Sequence, residues 1–184
     1  MPHDHDPQRR ALAAFLATLP ALPALASPGD TLVAYFSRTG HTRVIAGLLQ
    51  RALGATLFEI RAASPYPDDY LATVERARRE SAAGTEPGLA ARMDVTPFRH
   101  VLLGFPVWGM TTPAPIRSFL RQHALAGRTL TPFITHGGHG TGDCLTVLAR
   151  HAPGATLRPA FVMEAEQERR VMERVNAWLA RAAG

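Results

Sequence analysis

Thr31-Leu-Val-Ala-Tyr-Phe36 runs straight into Ser37-Arg-Thr-Gly-His-Thr42, and behind it Val44, Ile45, Leu48, Leu49, Ala52 and Leu53 recur at helical spacing. The first stretch is a continuous β-branched and aromatic run. A run of that kind predicts a strand buried on both faces, as in a parallel sheet. The second stretch places three hydroxyls, a glycine and consecutive backbone N–H groups at the start of a helix predicted over 42–53, which Gly54 ends. A strand feeding such a loop into a helix is half of a βαβ unit, and a parallel sheet requires further units of the same kind.

The alternation continues to the C-terminus. Ala55–Ile60 predicts a second strand, followed by the turn Ser64-Pro-Tyr-Pro67 and a polar helix over 68–82 that starts with Asp68 and Asp69, where the helix dipole favours negative charge. Residues 84–97 read as a loop. His100–Val107, Thr129–Thr135 and Ala155–Met163 predict strands three to five, and Pro159 weakens the last or places it at an edge. Helices are predicted over 113–123, 142–151 and 166–181. Five strands alternating with helices predict an α/β fold, a three-layer doubly wound sandwich around a five-stranded parallel sheet. In such a sheet ligands bind beyond the carboxyl ends of the strands.

Composition narrows the chemistry. At 184 residues the chain suits one domain with a core burying roughly two thirds of the unfolded surface. All twenty of its Lys and Arg residues are arginine, which excludes the P-loop lysine, lysine Schiff bases and serine–lysine dyads. The arginines are scattered, so the net charge of +5 reads as a solvated basic surface and no nucleic-acid partner is expected. The single Cys144 excludes an internal disulfide and is read as a buried core thiol.

Residues 1–30 differ from the remainder. Arg9-Arg10, the apolar stretch Ala11–Leu19 and the small-x-small site Ala24-Leu-Ala26 predict a signal peptide over 1–26, cut after Ala26, with a mature domain over 27–184. The adjacent arginines suggest the twin-arginine route and a periplasmic or otherwise exported protein. The alternative is an N-terminal extension of a cytoplasmic protein. No membrane span is expected in the mature chain, because residues 11–26 fall short of the roughly 20 apolar residues a spanning helix needs.

Three loops fall at the same sheet edge. Ser37–Thr42 is a candidate anion site: its N–H groups stand at a helix N-terminus, and the hydroxyls of Ser37, Thr39 and Thr42 are potential donors. An ordinary Ser/Thr N-cap is the plainer reading. After strand three comes Phe105-Pro-Val-Trp-Gly-Met110, where Trp108 either offers a flat face to an aromatic ring or packs in the core. After strand four comes Thr135-His-Gly-Gly-His-Gly-Thr-Gly142, whose glycines permit close backbone approach to a planar ligand. Together the loops suit a flat aromatic ring with a phosphate tail. His136, His139 and Asp143 have residue types that ligate metals, but a glycine-rich loop leaves their geometry unspecified and no metal site is expected. No histidine–carboxylate pair is placed to activate Ser37, so no catalytic residue is assigned.

The stretches YFSRTGHT (35–42), SPYPDDYLATVERARRE (64–80), LLGFPVWG (102–109), PIRSFL (115–120) and TPFITHGGHGTGD (131–143) resemble the flavodoxin family, in particular its short single-domain members. The resemblance implies strand order 2-1-3-4-5 and FMN as cofactor. It implies that Ser37, Thr39, Gly40 and Thr42, with the backbone of Arg38 and His41, hold the phosphate. Pro106, Val107, Trp108 and Gly109 would flank the isoalloxazine, with Thr135, His136, Gly137 and Gly138 on its other side. Relatives often carry two adjacent tryptophans where this chain has Trp108-Gly109, so Tyr66 and Met110 are the residues left for the second flavin face. Electron-carrying flavodoxins surround the flavin with acidic residues, whereas here Arg38, His136 and His139 stand near it. The expected role is an FMN-dependent redox protein, either an electron carrier or a reductase of quinone-type molecules in the cell envelope. Its redox donor and acceptor are unknown, and it is a monomer or homodimer. The alternative is a flavodoxin-like module that has lost flavin and binds another phosphorylated or anionic ligand.

Overall fold

The computed structural model describes residues 29–164 and 171–182; the predicted signal peptide lies outside them. The elements run β1 (Thr31–Tyr35), α1 (His41–Leu53), β2 (Thr56–Glu59), α2 (Tyr70–Ala82), β3 (His100–Pro106), α3 (Ala114–Gln122), β4 (Thr129–His136), α4 (Cys144–His151), β5 (Thr156–Leu157), β6 (Phe161–Glu164) and α5 (Val171–Ala182). All pairings in the sheet are parallel, and its order is β2-β1-β3-β4-β5, with β6 also pairing β4. This is the flavodoxin-like α/β fold.

The anticipated fifth strand, 155–163, is in fact two. β5 pairs through Leu130–Leu157 and β6 through Phe133–Phe161, so three steps along β4 face four along the outer strand. The extra residue is a β-bulge. Pro159 falls in this interruption and Pro132 of β4 lies at the same level. Neither has an N–H to give to a ladder, which is why regular pairing lapses there.

The continuous apolar runs follow from a sheet covered on both sides. Leu32, Ala34, Leu103 and Phe105 pack with Ile116, Phe119 and Leu148 of α3 and α4 on one face. Val33, Tyr35, Leu102 and Phe133 pack with Ile45, Leu49, Val175 and Trp178 of α1 and α5 on the other. The helix α2 behaves differently. Thr73 is its single buried residue among those described, while Leu71 and Val74 are exposed. It is held by polar anchors: Asp69 caps it by accepting from the Ala72 N–H at 2.7 Å, and Thr73 Oγ1 donates to the Pro67 carbonyl at 2.6 Å. A helix that buries so little leaves room beside it, and that room is the site.

Candidate functional site

A cavity of about 720 Å³ opens at the carboxyl edge of the sheet, within the range of roughly 300–1,000 Å³ usual for small-molecule sites. Of the residues singled out from the sequence, Arg38, Thr39, His41, Pro106, Val107, Trp108, Gly109, Thr135, His136 and Gly137 line it. Ser37, Gly40, Thr42 and Gly138 do not, and each is engaged in shaping the loops behind the wall.

The loop after β1 is tied by its own side chains. The Gly40 N–H donates to Ser37 Oγ at 3.2 Å, and Thr39 Oγ1 lies 2.9 Å from His41 Nδ1. Thr42 is 1% exposed and bonds Thr135 Oγ1 across 2.9 Å; Thr135 is 2% exposed. The Thr42 hydroxyl therefore braces α1 to the end of β4. The N-cap of α1 is Gly40, which makes no side-chain cap bond, and the first turn holds no acidic residue to offset the positive end of the helix dipole. Arg38 adds a further donor. One of its terminal nitrogens donates to the Asp68 carbonyl at 2.8 Å, while its buried Nε has no partner.

The loop after β3 is a two-residue hairpin. Trp108 and Thr111 exchange both backbone hydrogen bonds at 3.1 Å, and the central residues Gly109 and Met110 have φ of 56° and 64°. Two positive φ values at the central positions define a type I′ turn, natural for glycine and strained for methionine. The Trp108 ring lines the cavity, yet it also packs edge-on against Phe36 at 5.1 Å and Tyr66 at 4.8 Å. The two readings of this tryptophan, packing residue and cavity wall, thus coincide. Tyr66 lies behind it, donating to Glu80 at 2.5 Å under the Arg76 guanidinium. Burial, then the bond to Glu80 and its charge, push the Tyr66 phenol well above its ordinary value. Neither Tyr66 nor Met110 is a cavity-lining residue; Tyr70, at the start of α2, is.

The loop after β4 docks onto that hairpin. The Asp143 N–H donates to the Met110 carbonyl at 3.0 Å. A Cβ at Gly142 would lie 1.9 Å from that same carbonyl oxygen, so only glycine permits the approach. The Gly138 N–H donates to His136 Nδ1 at 3.1 Å, which puts the proton of the neutral ring on Nε2. His136, His139 and Asp143 do not gather into a metal-binding group, and none of three or more such residues occurs among those described. Cys144 is fully buried, and loss of hydration pushes its thiol up to about 11, the value of an unreactive core cysteine.

Sequence reasoning missed the far wall. It is built by Thr73, Val74, Ala77 and Ser81 of α2 and by Thr112 and Arg117 at the start of α3. The described residues that line the cavity include Arg38, Arg78 and Arg117 but no aspartate or glutamate. No described helix is long and apolar enough to cross a membrane.

Residues 30–181 match a family model described as flavodoxin. Two solved proteins assigned as flavoproteins have a TM-score of 0.71. One, from Bacteroides eggerthii, is 29% identical and covers 84% of this chain and 98% of its own. The other, from Bacteroides uniformis, is 27% identical and covers 82% and 99%. A flavoprotein from Lactobacillus acidophilus, solved in complex with FMN, shares the fold at 20% identity and a TM-score of 0.62, over 79% of this chain and 99% of that one. No curated protein matches the chain.

Proposed function

Because the chain belongs to the flavodoxin family, we propose that it binds FMN in this cavity and serves as a redox protein, either carrying electrons or reducing small quinone-type molecules. One observation carries the reading. The uncapped N-terminus of α1, the Trp108 hairpin and the loop after β4 meet around a single cavity whose charged lining is basic throughout. The donor set fits the cofactor. The leading N–H groups of α1 and the orphaned Nε of Arg38 would take the phosphate oxygens. Pro106, Val107, Trp108 and Gly109 would flank the ring, with Thr135, His136 and Gly137 opposite. Bound FMN supplies the redox chemistry, while the protein orients it and sets the field around it. Arg38 would favour negative charge on the ring, opposite to an acidic surround.

The test is an absorbance spectrum of the purified protein before and after adding FMN. Flavin bands, with FMN rather than FAD released on denaturation, support the reading, and a redox titration then separates carrier from reductase. A colourless protein that takes up no FMN overturns it. That outcome would favour a module holding another phosphorylated or anionic ligand.

We also propose export through the twin-arginine route to the periplasm, on the strength of Arg9-Arg10, the apolar stretch and Ala24-Leu-Ala26. That route suits a protein that collects its cofactor in the cytoplasm. A mature N-terminus at Ser27, read by mass spectrometry of an exported product, is the expected result.

A further inference from the structure

The far wall of the cavity holds a buried guanidinium. Arg117 is 8% exposed. It donates to two backbone carbonyls, Thr112 at 2.9 Å and Thr85 at 3.3 Å, and pairs with no carboxylate among the described residues. Guanidinium has five N–H donors, so three make no hydrogen bond to a described residue. Burying a charge is costly unless an opposite charge and a full set of hydrogen bonds offset it. Elsewhere in this protein buried or half-buried carboxylates do take arginine: Glu80 pairs with Arg76, and Glu86 with Arg121. At Arg117 no carboxylate among the described residues takes that place, and the residue lines the cavity.

Its surroundings define the rest of the ligand. Val74, Ala77, Pro113 and Ala114 make the same wall apolar, and Ser81 adds a hydroxyl, while that of Thr112 donates to the Cys144 carbonyl at 3.3 Å. Arg78, exposed and bonded to Glu75, stands on α2 at the same wall. This wall belongs to α2 and α3, whereas the groups suited to the FMN phosphate belong to the loop after β1.

We propose that the α2–α3 side of the cavity binds an organic anion with a flat apolar body, an aryl carboxylate in its simplest form, and that Arg117 anchors the carboxylate. A planar fork of donors matches a carboxylate bidentately, which an ammonium would not. This deepens the FMN reading, since it names the chemical class of small molecule brought beside the flavin.

The test is a titration of the FMN-loaded protein with benzoate and with its neutral isostere benzamide, read by isothermal calorimetry. The unmodified protein is expected to bind benzoate at least about tenfold more tightly than benzamide. Arg117→Gln, with its melting temperature measured alongside, should weaken benzoate at least about thirtyfold, as removal of one partner of a buried charge pair does, and leave benzamide unchanged. Arg78→Gln, which lies outside the core, should weaken benzoate about two- to fivefold. The proposal is overturned if benzoate and benzamide bind alike, if neither binds, or if Arg117→Gln leaves the ratio unaltered. The first comparison needs no variant, so a poorly folded Arg117→Gln does not shield the idea. Should the protein take up no FMN, the same titration on the protein as purified decides the role of Arg117 by the same criteria, and only the flavin reading falls.

Discussion

Gly142→Ala tests whether the two loops framing the cavity are held by direct backbone contact. Gly142 has a φ of +52°, and a Cβ there would lie 1.9 Å from the Met110 oxygen and 2.6 Å from its carbonyl carbon. Gly109 provides the control, because its φ is +56° but nothing lies within 4 Å of its would-be Cβ. Both substitutions place alanine in the left-handed region, at about 1–2 kcal/mol each. Only Gly142→Ala must also push a backbone carbonyl aside, a strain of about 1–3 kcal/mol. It also disturbs the Asp143–Met110 hydrogen bond, which contributes about 1 kcal/mol. The expected losses are therefore about 1–2 kcal/mol for Gly109→Ala and about 3–6 kcal/mol for Gly142→Ala. With a urea slope near 2 kcal/mol/M, the unfolding midpoint falls by about 0.5–1 M in the first case and about 1.5–3 M in the second. The assay is urea unfolding followed by circular dichroism. Coincident midpoints for the two variants would refute the close approach of the loops.

Three more outcomes follow from the same geometry. Asp69→Ala removes the cap of α2 and should cost about 0.5–2 kcal/mol by urea unfolding, with increased hydrogen exchange confined to residues 70–82. Tyr66→Phe deletes the donor to Glu80, a bond to a charged acceptor worth about 1.5–3 kcal/mol, while Arg76 still pairs with that carboxylate. An unchanged stability would mean the bond contributes nothing. The Cys144 thiol, raised from 9.0 to about 11 by burial, stays protonated in the folded chain after it would ionise in the unfolded one. Its contribution is thus complete below pH 9 and lost as the pH rises towards about 11, so the unmodified protein should lose more stability than Cys144→Ala across that window. Parallel losses in the two proteins would count against it.

The fold was legible because burial on both faces writes β1 and most of β3 as apolar runs, and α1 and α3 carry periodic apolar faces. Pro159 marked the weak point of the outermost strand, although the slip of one residue that makes β6 a separate strand depends on where Pro132 lies across the gap, a long-range match no local pattern carries. The near wall of the cavity was legible because loops at a helix start and after parallel strands must share one edge. The far wall was not. The polar pattern of α2 has no apolar stripe to declare which side faces inward, and Arg117 reads as one of many scattered arginines until its burial is seen. The bond from the Thr42 hydroxyl to Thr135 was not legible either, because its partner lies 93 residues away.

Experiment can separate the two roles open to the Thr42 hydroxyl. If Thr42 braces α1 against β4, then Thr42→Val leaves the Thr135 hydroxyl buried and unsatisfied, and Thr135→Val does the same to Thr42, each at about 1–3 kcal/mol. Replacing both removes both polar groups at nearly constant volume, so the double variant should be far less destabilised than the sum, with a coupling of about 1–2 kcal/mol. Restored bracing should then restore the position of the α1 N-terminus, and with it FMN affinity. If instead the Thr42 hydroxyl itself holds the phosphate, affinity falls in Thr42→Val and stays low in the double variant however stable that protein is. FMN titration and urea unfolding on the same four proteins decide between them. Rescue of both quantities together assigns the N–H groups of α1, and not the threonine side chain, as the phosphate's partners. Rescue of stability without rescue of affinity returns the hydroxyl to the ligand.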